Sequence, residues 1–192
     1  MEKKYKLLEN DTITVDGRAL YRIEAIKDFA DVRKGDKGGY VESEKNLSHE
    51  GECWVYGNAK VYGNAKVFGN ATVYGYAKVY GEARVCGEAE VYGEAEVYGE
   101  ARVYDNAMVC GNARISVTAD YYVGKNIWSS GRYFTYTRSN KMWKVGCFYG
   151  TGEELIKKAY QDSKVSGREY ERVVRYVEAM YADLEKDKEV KA

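Results

Sequence analysis

The chain has 192 residues, enough for one substantial core or for a main body with caps. Its 30 basic and 30 acidic side chains cancel, so no global charge draws it toward nucleic acid or an anionic membrane. The charged start MEKKYKLLENDTI has no signal-type apolar core, and no run approaches the roughly 18 apolar residues of a membrane helix; the expectation is a soluble, unexported, cytoplasmic protein.

Cys53, Cys86, Cys110 and Cys147 are widely spaced, without a C-x-x-C pair or clustered histidines. That pattern predicts free thiols and neither a metal site nor a cofactor. Proline is absent while glycine and tyrosine each number 20, so turns fall to Gly and Asn and the surface must carry aromatics.

Taken from the start, residues 1–38 read as a β cap. TITVDGRALYRIEAI alternates about Asp16 and Gly17, the signature of a hairpin. Residues 39–120 then repeat a six-letter word. Valine falls at 55, 61, 67, 73, 79, 85, 91, 97, 103 and 109, with Ile115 next in step; alanine follows four places later, and glycine two places later except at Asp105. Six divides by the strand's period of two and not by the helix's 3.6, so each word is a short strand and a turn. Gly and the Asn or Glu after it supply the positive φ of a sharp corner. Followed backward, the phase takes in Gly39, Val41, Leu47, Gly51 and Cys53, and places His49 in the valine phase, pointing inward beneath the cap.

An aliphatic residue followed four places later by a small one resembles the hexapeptide-repeat, left-handed parallel β-helix family. The resemblance implies three hexads per triangular coil, residue n stacked on n+18, a filled core and about four coils, roughly 20 Å at strand spacing. Three outward rows follow. The first holds Trp54, Thr72, Glu90 and Met108 beside Tyr56, Tyr74, Tyr92 and Cys110. It is nearly free of charge, which makes Trp54, Tyr56, Tyr74, Tyr92 and Met108 the candidate partner-binding residues. The second holds Lys60, Lys78, Glu96 and Arg114 beside Tyr62, Tyr80 and Tyr98. The third aligns Lys66, Arg84 and Arg102 beside Phe68, Cys86 and Tyr104 as a candidate anion or phosphate site, with rows of Glu82 and Glu100 as the simplest neutralising partners.

Residues 121–192 read as a terminal β/α domain. RYFTYTRSNKMWKVGCFY alternates as a hairpin turning at Ser139 and Asn140, with Cys147 packed inside it. Thr151 to Glu154 and Ser166 to Glu169 are capping boxes that each open a helix. The second helix carries a stripe of Tyr170, Val173, Val174, Val177, Met180, Tyr181 and Leu184. Such a stripe is too wide for a short hairpin to cover, which points to self-association as a dimer or trimer, or to the stripe lying across the aromatic face. GTGEE lacks the lysine and glycine spacing of a phosphate loop.

The enzymes known on this fold set the tests for catalysis. A zinc carbonic anhydrase needs three histidines, and the chain has one. An acyltransferase needs a histidine base and loops that interrupt the hexads; His49 is buried in phase and the hexads from 55 to 115 run unbroken, so no catalytic residue is assigned. A second resemblance concerns the flanks: GDKGGYVESEKNLSHEGECWVYGNA and MWKVGCFYGTGEELIKKAYQDS are similar to a group of phage and prophage proteins with this order of parts. It implies a non-catalytic binder or inhibitor of a bacterial host protein, such as a CRISPR-type defence effector. The alternatives are a hexapeptide acyltransferase and a sponge for signalling nucleotides held by the cationic row.

Overall fold

In each hexad the valine and alanine side chains face inward, and only a solenoid can bury every one of them from so short a strand. The computed structural model, which describes residues 2–189, is mainly β and builds this solenoid from eleven two-residue strands, β4 to β14, running from Trp54–Val55 to Arg114–Ile115. Residue n pairs in parallel with n+18: Lys60 with Lys78, Glu90 with Met108, Val85 with Val103. The valines from Val55 to Val109 and the alanines from Ala59 to Ala113 are at most 1% exposed, so the core is a stack of two small side-chain types with no channel.

The coils are joined at their corners as well as along their strands. Thr72 donates its N–H to the carbonyl of Ala89, Tyr74 to Val91, and the corner residue Tyr76 to Gly93, at 2.8–2.9 Å. Bringing corners this close sets two demands on the turn residue. Gly75 sits at a φ of +71°, and a Cβ there would stand 3.1 Å from the backbone nitrogen of Gly93. Glycine meets both demands.

The cap precedes the coils. Strands β1 (Tyr5–Val15) and β2 (Arg18–Ala25) form an antiparallel hairpin whose turn residues Asp16 and Gly17 have φ of 51° and 75°, the left-handed pair that the Asp-Gly dipeptide predicts. β2 pairs with β3 (Lys37–Val41), and β3 pairs in parallel with the Lys60–Val61 strand, so one solenoid sheet runs on into the cap as a seven-stranded sheet.

The first coil is longer than the sequence phase allows. Val41 pairs with Val61 and Leu47 with Val67, a step of 20 where later coils step 18. Val41 and Leu47 therefore occupy valine slots, the place that accommodates a side chain larger than alanine, and His49 falls in the enlarged corner between Leu47 and Cys53 rather than in a valine slot. Lys4 holds that corner. Its side chain is buried, and Nζ donates to the carbonyls of Gly51 at 3.0 Å and Cys53 at 2.8 Å, with the Cys53 Sγ at 3.4 Å. Burial lowers the lysine's pKa, and the two carbonyls make the buried ammonium tolerable.

Residues from Tyr121 form a second compact unit. Its sheet has four antiparallel strands rather than the two of a hairpin: β15 (Tyr121–Lys125), β16 (Tyr133–Thr137), β17 (Met142–Val145) and β18 (Phe148–Gly150). The β16–β17 turn includes Ser139 and Asn140, while a tighter turn at Gly146 and Cys147 directs Cys147 outward, where it is exposed instead of packed inside. Helix α1 (Gly152–Asp162) opens on the Thr151–Glu154 capping box. Helix α2 (Lys164–Glu189) starts before the second predicted box: Ser163 Oγ accepts the N–H of Ser166, which leaves Ser166 inside the helix. Tyr170, Val174, Val177 and Tyr181 are buried with Phe134, Trp143 and Leu155 in the core of this unit, Val173 and Met180 pack partly against it, and Leu184 is exposed. Four strands and α1 cover most of this stripe, and Leu184 at its far end stays exposed. Among the described residues no helix is long and apolar enough to cross a membrane.

Asp105 stands at a glycine corner with a φ of 57°, and its carboxylate makes no hydrogen bond or ion pair among the described residues. Asp105→Gly is expected to stabilise the protein by about 1 kcal/mol, the cost of holding an L-residue left-handed. Urea unfolding measures this, and a lower midpoint would show that the aspartate contributes something the backbone argument omits.

Candidate functional site

Because every outward position stacks at strand spacing, each face is a column whose members must tolerate one another about 4.8 Å apart. The three columns solve this differently. On the first, the cap intrudes: Trp54 is 1% exposed, with its ring 5.3 Å from Phe29 and 6.0 Å from Tyr5, so it belongs to the core and not to a binding surface. Tyr56 is half-buried and donates its hydroxyl to Asp31 of the same cap at 2.6 Å. Tyr74 and Tyr92 stack at 4.6 Å with rings 3° apart, and Tyr74 donates to Glu90 at 2.8 Å. Met108, paired with Glu90, is half-buried at the far end. The structure thus brings Tyr74, Tyr92 and Met108 together in one sheet, with Tyr56 turned to the cap and Trp54 beneath it.

The second column is internally compensated. Lys78 and Arg114 flank Glu96 at 3.1 and 3.8 Å, and Tyr62, Tyr80 and Tyr98 stack at 5.1 and 5.3 Å. These ladders hold coil to coil as cross-strand pairs do in any sheet.

The third column is different. Lys66, Arg84 and Arg102 stand in register and all three are exposed, whereas the outward strand residues of the other columns are mostly half-buried. The expected neutralisation is not made: Glu82 accepts from Asn64 at 2.5 Å, and Lys66 and Arg84 have no ion pair among the described residues. Lys66 and Arg84 instead line an open depression of about 440 Å³ with Lys45, Ser48 and Phe68. Phe68 and Tyr104 of this column are among the exposed large apolar side chains. Lys45, from the short helical turn Glu44–Asn46, is a member of the cluster that the hexad pattern could not disclose, since it lies outside the repeat and reaches the column only through the 20-residue first coil.

His49 is a packing residue. Its ring stacks on Tyr5 at 4.3 Å, Nδ1 accepts the Lys4 N–H at 3.3 Å, and Nε2 is 3.7 Å from Glu44. Burial keeps its pKa below the ordinary histidine range against the opposing pull of Glu44. The hexads from Trp54 to Ile115 contain no inserted loop that could clasp an acyl carrier. The four cysteines are free, and no group of three or more His, Cys, Asp and Glu among the described residues could hold a metal ion.

Comparison with known proteins touches one segment. A family model described as the YdcK beta solenoid repeat matches residues 101–116, less than one coil, and supports the β-helix repeat character seen in the fold. No curated protein matches the chain.

Two outcomes follow for the tyrosines. Burial raises the pKa of Tyr56, Tyr62, Tyr74 and Tyr92, assisted by hydrogen bonds to Asp31, Asp16, Glu90 and Cys110 respectively. Their unfolded counterparts ionise near pH 10, so the stability they confer is full below about pH 10 and is lost as pH rises toward their native values. In an alkaline titration followed by phenolate absorbance and by the β circular-dichroism signal, Tyr56, Tyr62, Tyr74 and Tyr92 should ionise only as the β signal collapses. Their complete ionisation near pH 10 with the fold intact would contradict the assignment. Replacing both Tyr74 and Tyr92 with serine should cost about 2 kcal/mol in urea unfolding, the sum of one lost stack and two half-buried side chains. A neutral result would mean the stack carries no structural load and would return the first face to the candidates for binding.

Proposed function

We propose that the chain is a non-catalytic binding protein whose third solenoid face receives an acidic surface of a bacterial host protein. The observation that carries this reading is the register of Lys66 over Arg84 without a compensating carboxylate, next to Lys45 and exposed Phe68. Like charges at strand spacing cost free energy, and an anionic partner would offset that cost while Phe68 and Tyr104 supply apolar contact. A solenoid backbone is already ordered, so binding through it forfeits little chain entropy. The host and the inhibitory role are supported by the likeness of both flanking segments to phage and prophage proteins, with CRISPR-type effectors as one class of target.

A second reading has its own observation. A cationic depression with an aromatic wall also suits a nucleotide, its phosphates on Lys66 and Arg84 and its base on Phe68. An acyltransferase has less support, since His49 is engaged in packing and no loop interrupts the hexads.

The charge-reversed variant Lys66→Glu with Arg84→Glu separates these readings. It should fold with an unchanged unfolding midpoint and lose capture of the host protein identified with the wild type by mass spectrometry. Wild-type capture should weaken with salt, since exposed charges are screened beyond about 10 Å at 0.1 M. Retained capture by the variant would overturn the assignment of this face, and saturable binding of a cyclic dinucleotide, lost in the variant, would replace the protein partner with the nucleotide.

A further inference from the structure

The second unit contains a cavity that neither the fold's stability nor the solenoid faces account for. It has a volume of about 350 Å³, within the range of small-molecule sites, and is lined wholly by residues of this unit. Its lining divides by chemistry. Phe148, Leu155 and Ala159 form an apolar part, and Arg132, Lys158 and Asp162 bring charge to the same space.

The charged groups are uncommitted. Lys158 and Asp162 are i, i+4 neighbours on α1, a spacing that permits an ion pair, yet they make none, and the Arg132 guanidinium has no hydrogen-bond or ion-pair partner among the described residues. Arg132 lies over Gly146, where a Cβ would stand 3.3 Å from its Nη1, so the glycine leaves room for the guanidinium to lie against the turn. The floor, in contrast, is fixed. Asn126 is 1% exposed; it donates from Nδ2 to the Tyr170 hydroxyl at 3.0 Å and to Ser129 Oγ at 2.8 Å, and it accepts the backbone N–H of Ser129 at 2.9 Å. Burial raises the pKa of the Tyr170 phenol, against the opposing pull of the Asn126 hydrogen bond and of Arg132, and Arg132, Asp162 and Tyr170 line the same cavity. Ser163 is both the end of α1 and the residue before α2, so the opposed helix dipoles offset each other there and the charge of the site rests on its side chains.

We infer that this cavity is a binding site for a small organic anion, a carboxylate or phosphate monoester joined to an apolar ring or chain. The acid group meets Arg132 and Lys158, a pairing for which the guanidinium's planar fork is suited. The apolar body lies against Phe148 and Leu155. Asp162 limits the net charge of the site to one positive unit and disfavours a bare polyanion.

The test uses the full chain labelled with ¹⁵N and the indole resonance of Trp128, whose ring packs edge-on against Tyr170 at 5.1 Å. Benzoate and phenyl phosphate are titrated separately to about 10 mM, with benzamide as the uncharged analogue and inorganic phosphate as the anion lacking a ring. At least one of the two aromatic anions should shift the resonance saturably, benzamide and inorganic phosphate should bind about tenfold more weakly or not at all, and the stronger aromatic anion identifies the acid group. Arg132→Gln should weaken that binding by about tenfold or more, as expected for a lost charge-assisted pair, while Asp162→Asn should tighten it. Arg132 and Lys158 are exposed, so these variants are expected to fold, and Lys158→Gln serves as the second variant if circular dichroism shows Arg132→Gln disturbed. Absence of saturation with either aromatic anion, equal binding by benzamide or inorganic phosphate, or indifference to the charge substitutions would overturn the assignment.

Discussion

Everything in the solenoid depends on how closely its corners approach. Successive coils can share hydrogen bonds through a turn only if the turn backbone of one lies one strand spacing above the next. At Gly69 the clearance is such that a Cβ would meet the Gly87 nitrogen at 3.1 Å, and the φ of +70° is one that L side chains seldom adopt. At the corners from Gly69 to Gly93 glycine is therefore a steric requirement before it is a flexible turn. Once the corners are fixed, the register of every strand is fixed with them, and the core needs only side chains small enough to share a narrow triangle. Valine and alanine supply that, and their complete burial gives the stack its cohesion.

The same constraint determines the surface. A residue placed outward in one hexad meets its counterpart 18 residues later whether or not the two are compatible. Tyrosine tolerates this best, because flat rings can stack: Tyr62, Tyr80 and Tyr98 do so within 9° of parallel. Alternating charge also works, as with Lys78 above Glu96. Polar corners use a third solution, with Asn70 donating to Glu88 at 2.7 Å. Against these, Lys66 stands in register with Arg84 and neither makes an ion pair among the described residues.

The parts of the fold legible in the sequence are those governed by local chemistry or by strict period. Asp16–Gly17 announces its own turn, Thr151 and Glu154 announce a helix start, and the hexads announce the solenoid and its columns. What escaped was set by contacts between segments remote in sequence. The two extra residues in the first coil are held by Lys4, 49 positions before Cys53, and they move His49 out of phase and bring Lys45 to the third column. Trp54 looked like a surface residue because its phase is outward, and it is buried only because Phe29 and Tyr5 of the cap close over it. In the second unit no period exists to read, so the number of strands, the outward turn of Cys147 and the start of α2 at Ser163 all rested on packing that short motifs do not encode.

These differences locate chemistry by a common argument. Several charges are compensated within the fold: Lys4 by two carbonyls, Glu96 by two cations, Glu153 by Arg175. Among the described residues, cations without an ion pair line two concave surfaces, on the third column at Lys66 and Arg84 and in the cavity at Arg132 and Lys158. Both combine cations with an exposed or accessible aromatic ring, Phe68 in the first and Phe148 in the second. Water solvates a cation without difficulty, but it gains nothing from an apolar ring held beside one. A ligand that carries both an anion and an apolar surface gains from each, and that shared logic is the physical ground on which both proposals rest.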